Sequence, residues 1–128
     1  MKICYYLGAI GNPNIIEKEN ILFHNLSILK NNLSDNDTLD LIANIYDNYN
    51  INKINNYVDN IFIHRKKGIL AQLWLSNPYN DLIDNYDYVL LILDDVKLSE
   101  NFNLNLLIQK YENYNMDILS PAINVACK

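Results

Sequence analysis

One continuous apolar run constrains the fold of this chain more than any other part of its sequence. The run is Tyr88-Val-Leu-Leu-Ile-Leu93, and two aspartates, Asp94 and Asp95, follow it directly. Six apolar residues are too few for a buried helix, but they suit a strand that is covered on both faces, as in a parallel sheet packed between helices. We therefore predict a strand over residues 86–93, in the middle of a sheet.

Segments of strand type and helix type alternate along the rest of the chain. Short apolar runs predict further strands over residues 2–10, 38–46, 61–64 and 117–123. Helical spacing of apolar residues predicts helices over 14–31, 67–76 and 99–115, the last capped by Ser99, with weaker helical turns over 52–58 and 81–85. This order predicts an α/β domain with a Rossmann-like, mostly parallel sheet and helices on both faces. The chain has 128 residues, the size of a single domain, 1–128.

Charge and composition argue against several classes of partner. The formal net charge is -5, and the one basic cluster, His64-Arg-Lys-Lys67, is only four residues long. A protein that follows a nucleic-acid backbone needs many clustered Lys and Arg side chains, so we expect no nucleic-acid partner. The amino-terminal apolar run is too short for a signal peptide or a membrane span, and Cys4 and Cys127 lack the spacing of a disulfide or zinc framework. We expect a cytoplasmic protein in which Cys4 is a buried thiol.

The carboxyl ends of the predicted strands carry the candidate ligand residues, because ligands of such sheets bind at that edge. The loops concerned cover residues 8–14, 44–48, 64–68 and 94–97. In the last loop, Asp94 and Asp95 leave the most apolar strand as adjacent carboxylates. Their oxygens suit Mg²⁺ or Mn²⁺ shared with a diphosphate. The alternative is that the two aspartates only end the strand or cap the following helix.

The basic cluster offers a candidate phosphate site. Arg65 and Lys67 stand beside Gly68 at a predicted helix start, where positive charge and backbone N–H groups suit a phosphate. A solvated basic turn explains the same residues equally well. His64 ends a short predicted strand and His24 lies in the first helix, and the sequence places no nucleophile beside either, so neither is expected to be catalytic.

Two further loops at this edge suit the nucleoside part of a ligand. Asp47 follows the second predicted strand, where it suits a hydrogen bond to a ribose or a base, although Asp-Asn is also an ordinary turn. Gly8 and Ala9 in the first turn permit close approach of a nucleotide. The spacing of Gly8 and Gly11 differs from the dinucleotide fingerprint, so an NAD site is not indicated.

Several segments together resemble the donor-binding half of GT-A-type glycosyltransferases, which transfer sugars from nucleotide-diphospho-sugars. They are the apolar strand with its Asp-Asp pair over residues 86–98, the opening Lys-Ile-Cys-Tyr-Tyr-Leu-Gly-Ala-Ile-Gly, the loop over 64–70 and the closing Asp-Ile-Leu-Ser-Pro-Ala-Ile. The segments are similar to the versions of large DNA viruses with A- and T-rich genomes, which implies the cytoplasm of a host cell. The resemblance implies that Asp95 is the metal ligand and that Asp94, the middle residue of the DXD-like motif, contacts donor ribose or sugar. Leu93 stands where the family has its first acidic residue.

The resemblance implies that the chain binds a nucleotide-sugar donor with Mn²⁺ or Mg²⁺ for transfer to an acceptor hydroxyl. It covers only the donor-binding half of the family, so we expect the acceptor half to be missing and this chain to be inactive without it. One alternative is a non-catalytic assembly module that associates, with itself or another protein, through an exposed sheet edge. Another is a receiver-like or nucleotidyltransferase domain, which would share the acidic edge. Trp74 and the tyrosines at 5, 6, 86 and 88 are expected to serve core packing.

Overall fold

The computed structural model describes residues 1–46, 54, 56–68 and 70–115, and within them it contains four strands, three α-helices and a 3₁₀ helix. The strands are β1 (Lys2–Ile10), β2 (Thr38–Ile45), β3 (Asn60–His64) and β4 (Tyr88–Ile92). The helices are α1 (Ile15–Asn32), α2 (Leu70–Ser76) and α3 (Leu104–Asn113), and the 3₁₀ helix covers Pro78–Asn85. These bounds confirm most of the predicted elements to within a few residues. The predicted strand over 117–123 lies outside the described residues, as do residues 52, 53 and 55 of the weak helix over 52–58.

The four strands form one parallel sheet in the order β3-β2-β1-β4. Pairing of β1 with β2 runs from Lys2 opposite Thr38, and pairing of β1 with β4 runs from Ile3 opposite Tyr88. The prediction of a Rossmann-like parallel sheet is therefore confirmed. The chain leaves β1 toward β2 and β3 on one side and places β4 on the other, so the direction of winding changes between β1 and β4.

The prediction that β4 lies in the middle of the sheet is wrong for the part of the chain that the structure describes. There β1 has a neighbour on each side and β4 is an edge strand, on which Leu91 is 61% exposed. An apolar run shows that a segment forms a strand, but the order of strands depends on pairings between distant segments. The apolar run therefore predicted that this segment forms a strand, but it could not predict the position of the strand in the sheet.

Helices cover both faces of the sheet, as predicted. On one face, apolar side chains of β1 and β2 pack against Leu22, Leu26 and Leu29 of α1 and Leu104 of α3. On the other face, Cys4, Tyr6 and Ile42 pack against residues of α2 and the 3₁₀ helix, among them Trp74, Tyr79 and Ile83.

Cys4 is fully buried, which confirms the expectation of a buried thiol. Burial, with a smaller contribution from the charge of Asp40, raises the pKa of the Cys4 thiol to about 12. Because the thiolate is the reactive form of cysteine, this side chain acts as an apolar core residue and not as a nucleophile. Tyr5 and Tyr6 are likewise buried in the core, as expected.

The start of α3 differs from the prediction. Ser99 does not cap the helix: its hydroxyl accepts a hydrogen bond from the backbone N–H of Asn101, within a turn. Asn103 is the cap, and its side-chain oxygen accepts from the N–H of Leu106 at 3.0 Å. Ser and Asn are comparable caps, so the choice between them is made by packing, because Leu104 is fully buried against the core. Within the described ranges no helix is both long and apolar enough to cross a membrane.

Candidate functional site

The direction of winding changes between β1 and β4, and we call the region outside the carboxyl ends of these two strands the crevice. In open parallel sheets, the loops that follow two such neighbouring strands lead away in opposite directions. They leave a space between them at the carboxyl ends of the strands, and ligands bind in that space. The loop after β1 leads from Gly11 into α1, and the loop after β4 carries Asp94 and Asp95. The structure thus brings together two of the loops that the sequence predicted to meet one ligand.

Lys18, in the first turns of α1, connects the two loops. Its ammonium group lies 3.2 Å from Oδ2 of Asp94 and donates to the carbonyl oxygen of Gly11 at 3.1 Å. Both side chains of the ion pair keep solvent contact, with 23% of Lys18 and 24% of Asp94 exposed. Lys18 was not among the residues predicted from the sequence, although a lysine one turn into the helix after a glycine-containing loop is a signal that could have identified it.

Asp94 and Asp95 form the turn that follows β4, and they differ in their surroundings. Asp94 is half-buried against Lys18, whereas Asp95 is exposed. In the parts of the chain that the structure describes, no three His, Cys, Asp or Glu side chains are grouped to hold a metal. The pair fits Mg²⁺ or Mn²⁺ only in the way in which such ions bind with substrate, through one or two carboxylates, water and phosphate oxygens.

Asn25 of α1 holds the loop after β4 in place. The side chain is fully buried; its Oδ1 accepts from the N–H of Leu98 at 2.8 Å, and its Nδ2 donates to the carbonyl oxygen of Val96 at 2.7 Å. The same Nδ2 lies 3.0 Å from the hydroxyl of Tyr5. His24 adds a second contact, because its Nε2 donates to the carbonyl oxygen of Leu98 at 2.8 Å. α1 therefore fixes the position of the acidic turn, and sequence reasoning missed this role of Asn25.

A second polar cluster lies at the carboxyl ends of β2 and β3. Asn44 is fully buried there, and its Nδ2 donates to the carbonyl oxygen of Gly8 at 2.7 Å. Its Oδ1 lies 2.8 Å from Nδ1 of His64 and 3.4 Å from Nδ2 of Asn77. The cluster is on the α2 face of the sheet, and it was not predicted.

The remaining predicted residues are spread along the same edge. Gly8 and Ala9 lie inside β1, at an irregularity where pairing with β2 shifts between Leu7 and Ile10, and Gly8 is buried. A contact of Gly8 or Ala9 with a ligand stays a prediction. Asp47 lies outside the described residues.

The basic cluster begins with the last residue of β3, His64, at the far side of the sheet from Asp94, and its other residues follow the strand. Arg65 and Lys67 are exposed, and the carbonyl oxygen of Gly68 accepts from the hydroxyl of Tyr46 at 2.9 Å. In the described residues α2 begins at Leu70, three residues after the predicted start at residue 67, and it is seven residues long. Such a short helix offers little support for a phosphate, so the charges of Arg65 and Lys67 are what this loop can offer a ligand.

A cavity of about 400 Å³ lies at the opposite, amino-terminal edge of the sheet, lined in part by Lys2, Asp40, Asn60 and Tyr86. The two oxygens of the buried Asp40 carboxylate are occupied there: Oδ2 accepts from the hydroxyl of Tyr86 at 2.7 Å and Oδ1 from Nδ2 of Asn60 at 3.1 Å. Burial and this hydrogen bond raise the pKa of Tyr86. We interpret the group as a satisfied structural network, since its polar atoms bind one another.

Gly11 permits the close approach of the loop after β1 to the end of β2. A Cβ atom added at Gly11 would lie 2.6 Å from Cβ and from Cδ2 of Tyr46. We therefore expect Gly11→Ala to lower the free energy of unfolding by about 1–3 kcal/mol, measured by urea denaturation. Gly68→Ala is the matched control, because its added Cβ would meet nothing nearer than Leu73 Cδ2 at 3.5 Å. Equal stability of the two variants would contradict this account of the loop.

Comparison of the chain with protein-family models, with curated proteins and with solved structures found no match in any of the three. The residues and their geometry are therefore what indicates a function. The strongest feature of that geometry is the crevice between β1 and β4, where Gly11, Lys18 and Asp94 are in contact.

Proposed function

We propose that this chain is the donor-binding domain of a GT-A-type glycosyltransferase and binds a nucleotide-diphospho-sugar together with Mn²⁺ or Mg²⁺. One observation carries the proposal: Asp94 and Asp95 form the turn that begins one residue after β4, beside the end of β1, at the point where the winding of the sheet reverses. Adjacent carboxylates at that point suit a divalent cation shared with a diphosphate. The resemblance of residues 86–98 to a DXD segment supports the same assignment.

Each residue of the crevice has a separate role in the proposal. Asp95, the exposed carboxylate, binds the cation, and Asp94 contacts the cation or the donor ribose. Lys18 neutralises Asp94 in the free protein and turns to the diphosphate when the cation binds. A cation held by Asp94 and Asp95 would supply the positive charge that neutralises the diphosphate leaving group. The proposal assigns no residue to the acceptor.

Calorimetry tests the proposal directly. UDP-glucose and GDP-mannose are titrated into the protein with MnCl₂ and, separately, with EDTA. The proposal predicts heat of binding for at least one of the two donors that disappears with EDTA. Absence of metal-dependent heat, with circular dichroism showing a folded α/β protein, would reject donor binding.

Replacing Lys18 by Met should separate its effects on cation and diphosphate. Because Lys18 neutralises Asp94, we expect Mn²⁺ alone to bind a few-fold more tightly to Lys18→Met, about threefold for a partly exposed ion pair. We expect UDP at saturating Mn²⁺ to bind more weakly, since a positive charge near the phosphates is lost. Both affinities are measured by calorimetry.

The matched control for this variant is Lys30→Met. Lys30 lies in the last turn of α1, at the other end of the helix, where it donates to the carbonyl oxygen of Asn56. Lys30→Met should leave both affinities unchanged. If Lys18→Met also changed neither, Lys18 would have no part in the site.

A second candidate function is supported by the edge of β4. Among the strands that the structure describes, β4 pairs on one side only, and Leu91 on this strand is 61% exposed. Unpaired edges of this kind bind further strands. As an alternative, we propose that the chain is an assembly module that forms homo-oligomers through β4. Sedimentation measurements distinguish this function: oligomers that dissociate on Leu91→Lys, without metal-dependent donor binding, would favour it.

A further inference from the structure

The buried cluster at the ends of β2 and β3 fixes the orientation of one amide. The carbonyl oxygen of Gly8 can only accept a hydrogen bond, so the atom of Asn44 that faces it at 2.7 Å is the amide nitrogen. The other side-chain atom of Asn44, which faces His64 and Asn77, is therefore the oxygen. Asn77 agrees with this assignment: its own oxygen accepts from the N–H of Tyr79 at 2.8 Å, which leaves its nitrogen to face Asn44.

The orientation of Asn44 determines the tautomer of His64. Because Oδ1 of Asn44 cannot donate, Nδ1 of His64 carries a proton and donates to it at 2.8 Å. In the neutral imidazole the second nitrogen, Nε2, then has a lone pair and acts as an acceptor. The protein thus fixes a histidine in one tautomer through a buried asparagine.

The position of His64 makes this lone pair available to a ligand. His64 is the last residue of β3, at the carboxyl edge of the sheet, and its side chain is partly exposed. No hydrogen bond to Nε2 is made by a residue in the described ranges. Among side-chain nitrogen and oxygen atoms in these ranges, only Trp74 Nε1 is both buried and without a hydrogen-bond partner. Because Nε2 of His64 also lacks a partner, it cannot be fully buried and is accessible to solvent.

We propose that Nε2 of His64 accepts a hydrogen bond from the nucleoside of the bound donor. This role rests on the proposed function. Two strand spacings, about 10 Å, separate the ends of β1 and β3, so a diphosphate beside Lys18 can extend across the strand ends and bring its nucleoside to His64. The donating group is a ribose hydroxyl or an N–H of the base, since both present a hydrogen to an acceptor.

Nitrogen NMR of the histidine ring tests the tautomer and the contact separately. In the free protein near pH 8 we expect the proton of His64 on Nδ1 and the lone pair on Nε2. Addition of UDP or GDP with Mg²⁺ should shift the Nε2 signal. A proton on Nε2 in the free protein, or an unchanged Nε2 signal while a nucleotide binds, would overturn the proposal.

The variant His64→Asn separates recognition from structure. The shorter amide can still donate to Asn44 from the position of Nδ1, but it has no atom at the position of Nε2. We expect the variant to fold and to bind UDP or GDP about fivefold to tenfold more weakly, as for the loss of one hydrogen bond. Unchanged affinity would overturn the role of His64.

Analogues identify the group that donates to His64. If the donor is a ribose hydroxyl, the 2′-deoxy or the 3′-deoxy form of UDP or GDP should bind the natural protein more weakly and should show no such loss with His64→Asn. If both deoxy forms show the same loss with the two proteins, the base N–H is the donor. Absence of binding of both UDP and GDP to the natural protein would reject the proposed function and with it the ligand role of His64, whereas bound nucleotide with unaffected His64 would reject this inference alone.

Discussion

Replacing Asp95 by Asn should weaken Mn²⁺-dependent binding of the nucleotide donor by at least about 100-fold. The amide keeps the size of the side chain but removes the charge that, in the proposed function, binds the cation. Even residues that only hydrogen-bond a metal ligand contribute 10-fold to 100-fold to metal affinity. Because Asp95 is exposed, we expect the free energy of unfolding to stay within about 0.5 kcal/mol of the natural value. Calorimetry with MnCl₂ and the donor measures the first effect, and urea denaturation the second.

Asp35→Asn is the matched control for this variant. Asp35 is also exposed, but it lies in the turn before β2, at the amino-terminal edge of the sheet. The control should bind the donor like the natural protein. Equal binding by Asp95→Asn and Asp35→Asn would show that the acidic turn after β4 is not the metal site.

Replacing Asn25 by Leu should give the largest loss of stability among single changes near the site. The leucine would leave the N–H of Leu98 and the carbonyl oxygen of Val96 without their buried partner, and would remove the contact with the Tyr5 hydroxyl. Each buried polar group left unsatisfied costs about 1–3 kcal/mol, so we expect the free energy of unfolding to fall by about 3 kcal/mol. Urea denaturation followed by circular dichroism measures the change.

The same variant should also weaken donor binding, because the turn that carries Asp94 and Asp95 loses its attachment to α1. Asn20→Leu is the control, since Asn20 is exposed on the same helix and lacks these contacts. The control is expected to match the natural protein in stability and binding. A fully stable Asn25→Leu would contradict the account of how the acidic turn is positioned.

The sequence predicted the local elements because each depends on its own residues. The apolar run before Asp94 and Asp95 identified β4. Because ligands of parallel sheets bind at the carboxyl ends of the strands, the position of these two carboxylates at that edge could be predicted as well. The order of the strands could not. Which strand is central is decided by pairing between segments far apart in the chain, as in the pairing of Ile3 with Tyr88.

The residues that contact the candidate site from α1 could not be predicted, for the same physical reason. Lys18 contacts Asp94, and Asn25 bonds the backbone of Val96 and Leu98, across separations of more than 70 residues. On a helix viewed alone, Lys18 is an ordinary surface charge and Asn25 an ordinary polar residue. Likewise, His64 is informative only once the orientation of Asn44 is known.

Diffraction at the manganese absorption edge, from crystals grown with MnCl₂ and UDP, tests the central claim most directly. The claim is that the crevice between β1 and β4 holds a diphosphate through a cation bound by the acidic turn. We predict an anomalous peak about 2 Å from a carboxylate oxygen of Asp95, with diphosphate density beside Lys18. A manganese peak elsewhere, or ordered UDP with the Asp95 side chain turned away from the crevice, would contradict the claim.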